Sequence, residues 1–366
     1  MSGPVNFAFE RRTTAQAQKE RRIMKFHKKK ATAFAALAVS FALVVSACGG
    51  GSDEKSDTKS GGNDMTVTFL PKNLGNPYFD TSDAGGEEAV KEFGGTYTEV
   101  GPQEATPDGQ VAFINTAAQQ GIKALVVSAN DPKAIGDALN EAREAGTKVV
   151  TFDSDTEPQY RDLFINQASA EGIAKSQVDM VAEQIGDEGE IAILSASANA
   201  TNQNAWIELM EADLKANHPN IKLVDTVYGD DDDQTSFDKT AALLQSHPDL
   251  KAIVSPTTVG IAAAARYIAD SDYKGKVKVT GLGTPDQMRE YVENGTVDAF
   301  ALWNPGDLGY LAAFAAKALV DGDITGKEGD KFTAGKLGDY TVGKDGQVIL
   351  GDPFVFDKDN IGDFNF

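Results

Sequence analysis

The side chains best able to do chemistry in this chain fall just after short apolar runs. Lys72 and Asn73 follow one run, Asn130 and Asp131 another, then Asp153, Ser154 and Asp155, then Asn202 and Gln203, then Pro256, Thr257 and Thr258, and finally Asn304. Tyr78, Phe79, Trp206 and Trp303 lie close to them in sequence. Carboxylates and planar amides present paired donors and acceptors, and every sugar hydroxyl both donates and accepts. Aromatic faces cover the apolar C–H side of a pyranose. The pattern points to capture of a small polyol, with Lys72, Phe79, Asn130, Asp153, Asp155, Asn202, Gln203, Trp206, Pro256, Thr258 and Asn304 as the candidate binding set.

Other chemistries fit less well. Glycoside hydrolysis needs a protonated acid and a second carboxylate flanking one bond. Asp153 and Asp155 are the one pair on offer and read equally as caps of a loop, so binding is favoured over catalysis and no catalytic residue is assigned. Trp206, near a helix start, suits a core position as well as a ligand face. Asp230, Asp231, Asp232 and Asp233 form an acidic run without the glycine and twelfth-position glutamate of a calcium loop, so a solvated loop with a helix cap is expected there. His27, His218 and His247 are isolated, two of them directly before proline, and none has metal-ligand spacing. Gly281-Leu282-Gly283 lacks the rest of a dinucleotide fingerprint. The reading calls for no cofactor and no metal.

Stepping outward from these residues, apolar β-rich runs alternate with amphipathic stretches. Strands are expected at 66–70, 96–100, 124–128 and 148–152, with helices at 81–93, 109–120 and 132–144. The pattern restarts with strands at 190–194, 222–227, 252–254, 277–280 and 299–303, and helices at 172–184, 203–216, 236–245, 260–269 and 286–294. Continuous apolar strands spaced by helices mark parallel sheets covered on both faces. Two successive units predict an α/β protein of two doubly wound lobes. In such sheets ligands sit outside the carboxyl ends of the strands, where the polar set falls.

The chain has 366 residues and a formal charge of −21. Residues 1–47 hold nine Lys/Arg against two Glu, leaving 25 against 53 and a net −28 on the remainder. That balance argues against nucleic acid as a partner. From Met24, a basic stretch carrying Lys25, Lys28, Lys29 and Lys30 leads into a fifteen-residue apolar run ending at Val45. The run is short for a membrane span, which needs about 20 apolar residues, and suits a signal peptide over 24–47. Val45-Ser46-Ala47-Cys48 resembles the lipobox of bacterial lipoproteins, which implies that Cys48, the sole cysteine, is lipidated and becomes the new N-terminus. Residues 1–23 read as an upstream extension, and 48–64, rich in Gly, Ser and charge, as a flexible tether. The lipid is then the only membrane attachment.

The strand-end segments resemble the type I periplasmic sugar-binding proteins, and within them the rhamnose and autoinducer-2 binding branch. The likeness runs in order through FLPKNLGNPYFD (69–80), VVSANDP (126–132), FDSDT (152–156), ILSASANATNQNAW (193–206), VYGDD (227–231), SPTTVG (255–260), VTGLGTP (279–285), LWNPGDLGY (302–310) and DPFVFDKDNI (352–361). In autoinducer-2 receptors, a Lys, an Asp, an Asp-Gln pair and a Pro-x-Ala hold the ligand. The resemblance places these on Lys72, Asp153, Asn202-Gln203, Pro256 and Thr258. Asn202 and Thr258 depart from that pattern and match the rhamnose branch better. The resemblance further implies three crossings between lobes, near Gln167, Asn304 and Gly338. Lobe one is then 65–167 plus 305–338, and lobe two 168–304 plus 339–366, ending in a return strand and a surface turn. It implies closure on a monosaccharide, a monomeric state and delivery to the transmembrane subunits of an ABC permease. A repressor would need a helix-turn-helix and a basic face, which the lipobox and acidic body replace. A role as a signalling receptor for the same ligands stays open.

Overall fold

The structure, a computed structural model, describes residues 65–366. Cys48, the expected leader and the tether lie outside the described residues. The first half of the described chain builds β1 (Thr66–Leu70), α1 (Pro77–Glu92), β2 (Thr96–Glu99), α2 (Pro107–Gln120), β3 (Ala124–Val127), α3 (Gly136–Glu144), β4 (Lys148–Phe152) and β5 (Leu163–Asn166). The second unit follows as α4 (Ala170–Ile185), β6 (Gly189–Ser195), α5 (Thr201–Asn217), β7 (Ile221–Tyr228), α6 (Asp233–Ser246), β8 (Leu250–Ser255), α7 (Thr258–Ala269), β9 (Lys278–Gly281), α8 (Pro285–Glu293) and β10 (Ala299–Leu302). The chain then runs through α9 (Pro305–Asp321), β11 (Lys331–Thr333), β12 (Asp339–Thr341), β13 (Gln347–Ile349) and β14 (Phe354–Asp357).

One sheet is six-stranded and parallel, in the order β13-β5-β4-β3-β1-β2. The other is parallel with the order β7-β6-β8-β9, and an isolated parallel bridge from Leu282 to Ala301 joins it to the antiparallel pair β10-β14. Residues 124–127 and 252–255 are buried throughout, as strands packed on both faces must be. Two parallel-sheet lobes of the expected class result.

Four differences from the sequence expectations have physical causes. Helix α1 begins at Pro77 rather than residue 81, because Asn76 caps it by accepting from Tyr78 N and Pro77 suits a first helical position. Helix α3 begins at Gly136, after Asp131 Oδ1 has accepted from Lys133 N and Ala134 N and held 132–135 as a turn. Strand β5 and helix α9 were not anticipated, and α9 repeats the α1 device, with Asn304 as cap and Pro305 following. Finally, residues 347–349 join the first sheet rather than lobe two, and 339–341 pair with 331–333 in a small sheet of their own. Strand β12 pairs with β11 and β13 with β5, so the third crossing lies between Ile349 and Phe354 rather than near Gly338.

Helices α1 and α9 meet almost backbone to backbone, through glycine. A Cβ on Gly85 would lie 1.9 Å from Gly306 O, and one on Gly309 would lie 1.8 Å from Ser82 O. Around this contact α9 buries Leu308, Leu311, Ala312, Ala315 and Leu319. Gly309→Ala is expected to destabilise the protein by about 1–3 kcal/mol, the usual cost of overpacking, despite the better helix propensity of alanine. Urea denaturation of the variant and parent checks this.

On the buried side of α1, Asp83 is only 2% exposed and accepts from Ser82 Oγ. Burial pushes its carboxyl well above the usual range, and the charge of Glu99 adds to the effect. The folded state therefore holds this proton more tightly than the unfolded chain, so the group's contribution to stability falls as pH rises above the ordinary carboxylate range. Asp83→Asn removes that penalty. Its Tm gain over the parent is expected to grow from pH 4 to pH 8, as read by thermal melts across that range.

Candidate functional site

Between the lobes, at the carboxyl ends of the strands, lies a pocket enclosing about 370 Å³ together with its mouth. Lys72, Asp153 and Phe79 come from the first lobe, and Asn202, Gln203, Trp206, Pro256 and Thr258 from the second. Eight residues of the expected binding set thus meet on one cavity.

Asp153 is the hub. It ends β4 in a left-handed conformation (φ 59°), which Asp tolerates better than most residues. The residue is 5% exposed. Tyr78 OH donates to Oδ1 at 3.1 Å and Ser128 Oγ donates to Oδ2 at 2.9 Å. Lys72 Nζ, itself buried, stands 3.6 Å from Oδ2. Burial, reinforced by the Asp153 charge, raises the Tyr78 phenol well above its ordinary value, so it stays a donor to the carboxylate. Trp303 Nε1 in turn donates to Tyr78 OH at 2.9 Å, with the two rings edge to face.

The second lobe meets this hub through the first turn of α5. Asn202 Oδ1 accepts from Lys72 Nζ at 3.3 Å, and Asn202 Nδ2 stands 3.4 Å from both Asp153 O and Oδ1. Gln203 spends its carbonyl on the end of β6, accepting from Ser195 Oγ at 2.7 Å and Ala196 N at 2.8 Å. Trp206 packs edge to face on Trp303 within the second lobe, and Trp303 in turn meets Tyr78 of the first.

Three expected residues do not line the cavity. Asn130 is buried beneath it, where Nδ2 donates to Lys72 O at 2.9 Å and N donates to Gln110 Oε1. Gln110 Nε2 also donates to Pro71 O and Ser128 O, so this pair fixes the ends of β1 and β3 that present Lys72 and Ser128. Asp155 is held bidentate by Arg161, whose Nη1 donates to Asp345 O, tying the end of β4 to the approach to β13. Asn304 is the α9 cap, accepting from Gly306 N and Asp307 N. A strand-end position predicts a cavity-facing side chain only when no helix start or backbone carbonyl claims it first.

The cavity also holds residues outside the expected set: Asn76, Tyr78, Thr257, Trp303 and Asp231. Tyr78 and Trp303 had a visible signal, as aromatics flanking Asn-Pro helix starts. Asp231 was hidden in a run of four aspartates. Asp232 is the cap expected there, accepting from Thr235 N, but its neighbour Asp231 turns inward with φ 51° and accepts from Thr257 Oγ1. Burial raises the Asp231 carboxyl above the ordinary range, while Lys72 and Thr257 oppose the shift. Among the described residues, no group of three or more His, Cys, Asp or Glu is placed to hold a metal ion, and no helix is long and apolar enough to cross a membrane.

Comparison with known proteins agrees with this geometry. A sugar ABC transporter structure from Actinomyces odontolyticus is 54% identical, covering 82% of this chain and 98% of that one, with a TM-score of 0.68. An ABC transporter solute binding protein from Clostridium phytofermentas with bound L-rhamnose is 38% identical, covering 81% and 97%, with a TM-score of 0.79. LsrB from Clostridium saccharobutylicum in complex with AI-2 is 26% identical, covering 82% and 100%, with a TM-score of 0.78. The periplasmic binding protein domain matches residues 67–324. A cleft of polar strand ends closed between two parallel-sheet lobes, with that match over most of the chain, makes this a member of the periplasmic binding protein family.

Proposed function

We propose that the protein is a lipid-anchored, extracytoplasmic receptor that captures one rhamnose-like monosaccharide between its lobes and hands it, unaltered, to an ABC permease. The observation that carries this reading is the meeting of Lys72 and Asp153 from one lobe with Asn202 from the other on a single cavity. Hydroxyls of a sugar satisfy these groups in pairs, and Phe79, Trp206 and Trp303 supply apolar faces. Closure of the lobes about their crossings is the mechanism. The 54% identical relative superposes less well than the 38% identical, rhamnose-bound one, as expected if the angle between lobes varies. Nothing in the site pairs an activated nucleophile with a base, so binding without turnover is part of the proposal. The protein acts as a monomer.

A second reading has its own support. Lys72, Asp153, Gln203 and Pro256 match the autoinducer-2 receptors as well, and an AI-2 complex is among the similar structures. Asn202 separates the readings, since an amide offers one acceptor and one donor group where that branch has a carboxylate.

Calorimetry with L-rhamnose and autoinducer-2 tests both. Rhamnose at a hundredfold excess over Kd is expected to stabilise the parent by about 2.7 kcal/mol in a thermal melt. Asp153→Ala leaves buried donors unpaired and is expected to weaken binding about 10–150-fold, with the fold retained. Asp155→Ala is expected to do the reverse, keeping the affinity while losing about 3 kcal/mol of stability as Arg161 is orphaned. Asn202→Asp is expected to shift preference towards autoinducer-2. Rhamnose affinity unchanged in Asp153→Ala would refute the site, and product formed from rhamnose would refute binding without turnover.

For the anchor, Cys48→Ala is expected to release the protein from the membrane fraction or leave an unprocessed precursor. A variant that fractionates and processes like the parent removes the lipoprotein reading.

A further inference from the structure

The charges in the pocket do not balance. Lys72, Asp153 and Asp231 are its charged lining residues, so the ionised site carries a net −1. The single positive charge of Lys72 is already engaged, its ammonium standing 3.6 Å from Asp153 Oδ2 and donating to Asn202 Oδ1, so one cation stands against two carboxylates. Asp231 faces this pair from the opposite lobe, with Oδ1 accepting from Thr257 Oγ1. Beyond the mouth, the interlobe crevice continues as a second hollow that shares Asn76 and Asp231 with the pocket. Glu104 lies on one wall of it and Asp230, Asp232 and Asp233 on the other, and no Lys, Arg or His lines it. Asp233 is neutralised by Arg266 at 2.7 Å, which leaves Glu104, Asp230 and the helix-capping Asp232 as the acidic groups along the approach.

We propose that Asp231 makes this cleft a charge filter, one that admits uncharged sugars and excludes sugars bearing a carboxylate or phosphate. The proposal rests on the sugar-receptor reading above and names its ligand class. A neutral sugar can donate a hydroxyl to Asp231, whose carboxylate offers more lone pairs than Thr257 uses. An anionic sugar gains nothing equivalent. It would enter a desolvated space whose one cation, Lys72, already faces the carboxylates of Asp153 and Asp231, and like charges there repel far more strongly than in water. The acidic mouth extends the same discrimination outward, slowing the approach of anions in a salt-dependent way.

The test is titration calorimetry of the purified protein with L-rhamnose, D-ribose and D-allose against D-glucuronate, D-galacturonate and ribose 5-phosphate. The parent is expected to bind at least one neutral sugar, with every anion at least about 100-fold weaker, which is roughly 2.8 kcal/mol. Asp231→Asn keeps the shape and tolerates the left-handed backbone. It is expected to cost the neutral sugar about tenfold in affinity and to narrow the gap to the anions by about tenfold. Asp230→Asn, at the mouth only, is expected to leave neutral-sugar affinity within twofold and to weaken the salt dependence of association. An anion bound by the parent within tenfold of its best neutral sugar overturns the filter. So does an unchanged gap in a folded Asp231→Asn protein. Binding of none of the six by a folded parent overturns the sugar-receptor reading itself, and is distinguishable from either of those results.

Discussion

A buried carboxylate survives only if its oxygens are supplied with donors, since the effective cost of taking one ion out of water is several kcal/mol. Asp153 is that carboxylate here, and its donors come from four separate places. Tyr78 arrives on the first turn of α1, Ser128 at the end of β3, Lys72 at the end of β1, and Asn202 from the other lobe. Each must be held to within a few tenths of an ångström. The strand order that sets β1, β3 and β4 side by side places Lys72 and Ser128 beside Asp153, the start of α1 brings Tyr78, and the second lobe brings Asn202.

The packing of α1 on α9 serves the same constraint. The glycine contact brings the two helices to backbone distance, and each helix starts from an asparagine cap beside the cavity. Tyr78 follows one cap by two residues and Trp303 precedes the other by one. Docking the helices therefore sets the bond from Trp303 Nε1 to Tyr78 OH, and with it the direction in which the phenol donates. Below the cavity, Gln110 and Asn130 fix the strand ends through backbone carbonyls, so the polar groups that touch the pocket rest on others that do not.

Much of this was legible in the residue order. The apolar runs of β3, β4 and β8, with glycine stops at Gly121 and Gly146 before the first two, gave both parallel sheets, and the rule of carboxyl ends led to Lys72, Asp153, Asn202 and Gln203. What escaped has common causes. Strand β5 is four residues long and follows a loop held by the Asp155–Arg161 pair, a tertiary contact without a local signature. Helix α9 is apolar nearly all round because it is buried nearly all round, which removes the amphipathic period that marks a helix. Asn130 and Asn304 share their residue type and strand-end position with true lining residues and differ only in which backbone groups reach them first. Asp231 could not be told from Asp230 or Asp232 by type, since the backbone turn alone decides which of them faces inward.

The late third crossing has a mechanical consequence. Leu350 N donates to Asn166 O and Gly351 N donates to Gln167 O, so the first and third connections run side by side as a hydrogen-bonded ribbon. A ribbon of two coupled strands is stiff against shear along its length and compliant mainly to bending across it. In the proposed closure, such a ribbon favours bending of the lobes about an axis through the connections over sliding of one lobe along the other. Bending about that axis opens and shuts the proposed cleft while keeping Asn202 in line with Asp153, whereas sliding would part them.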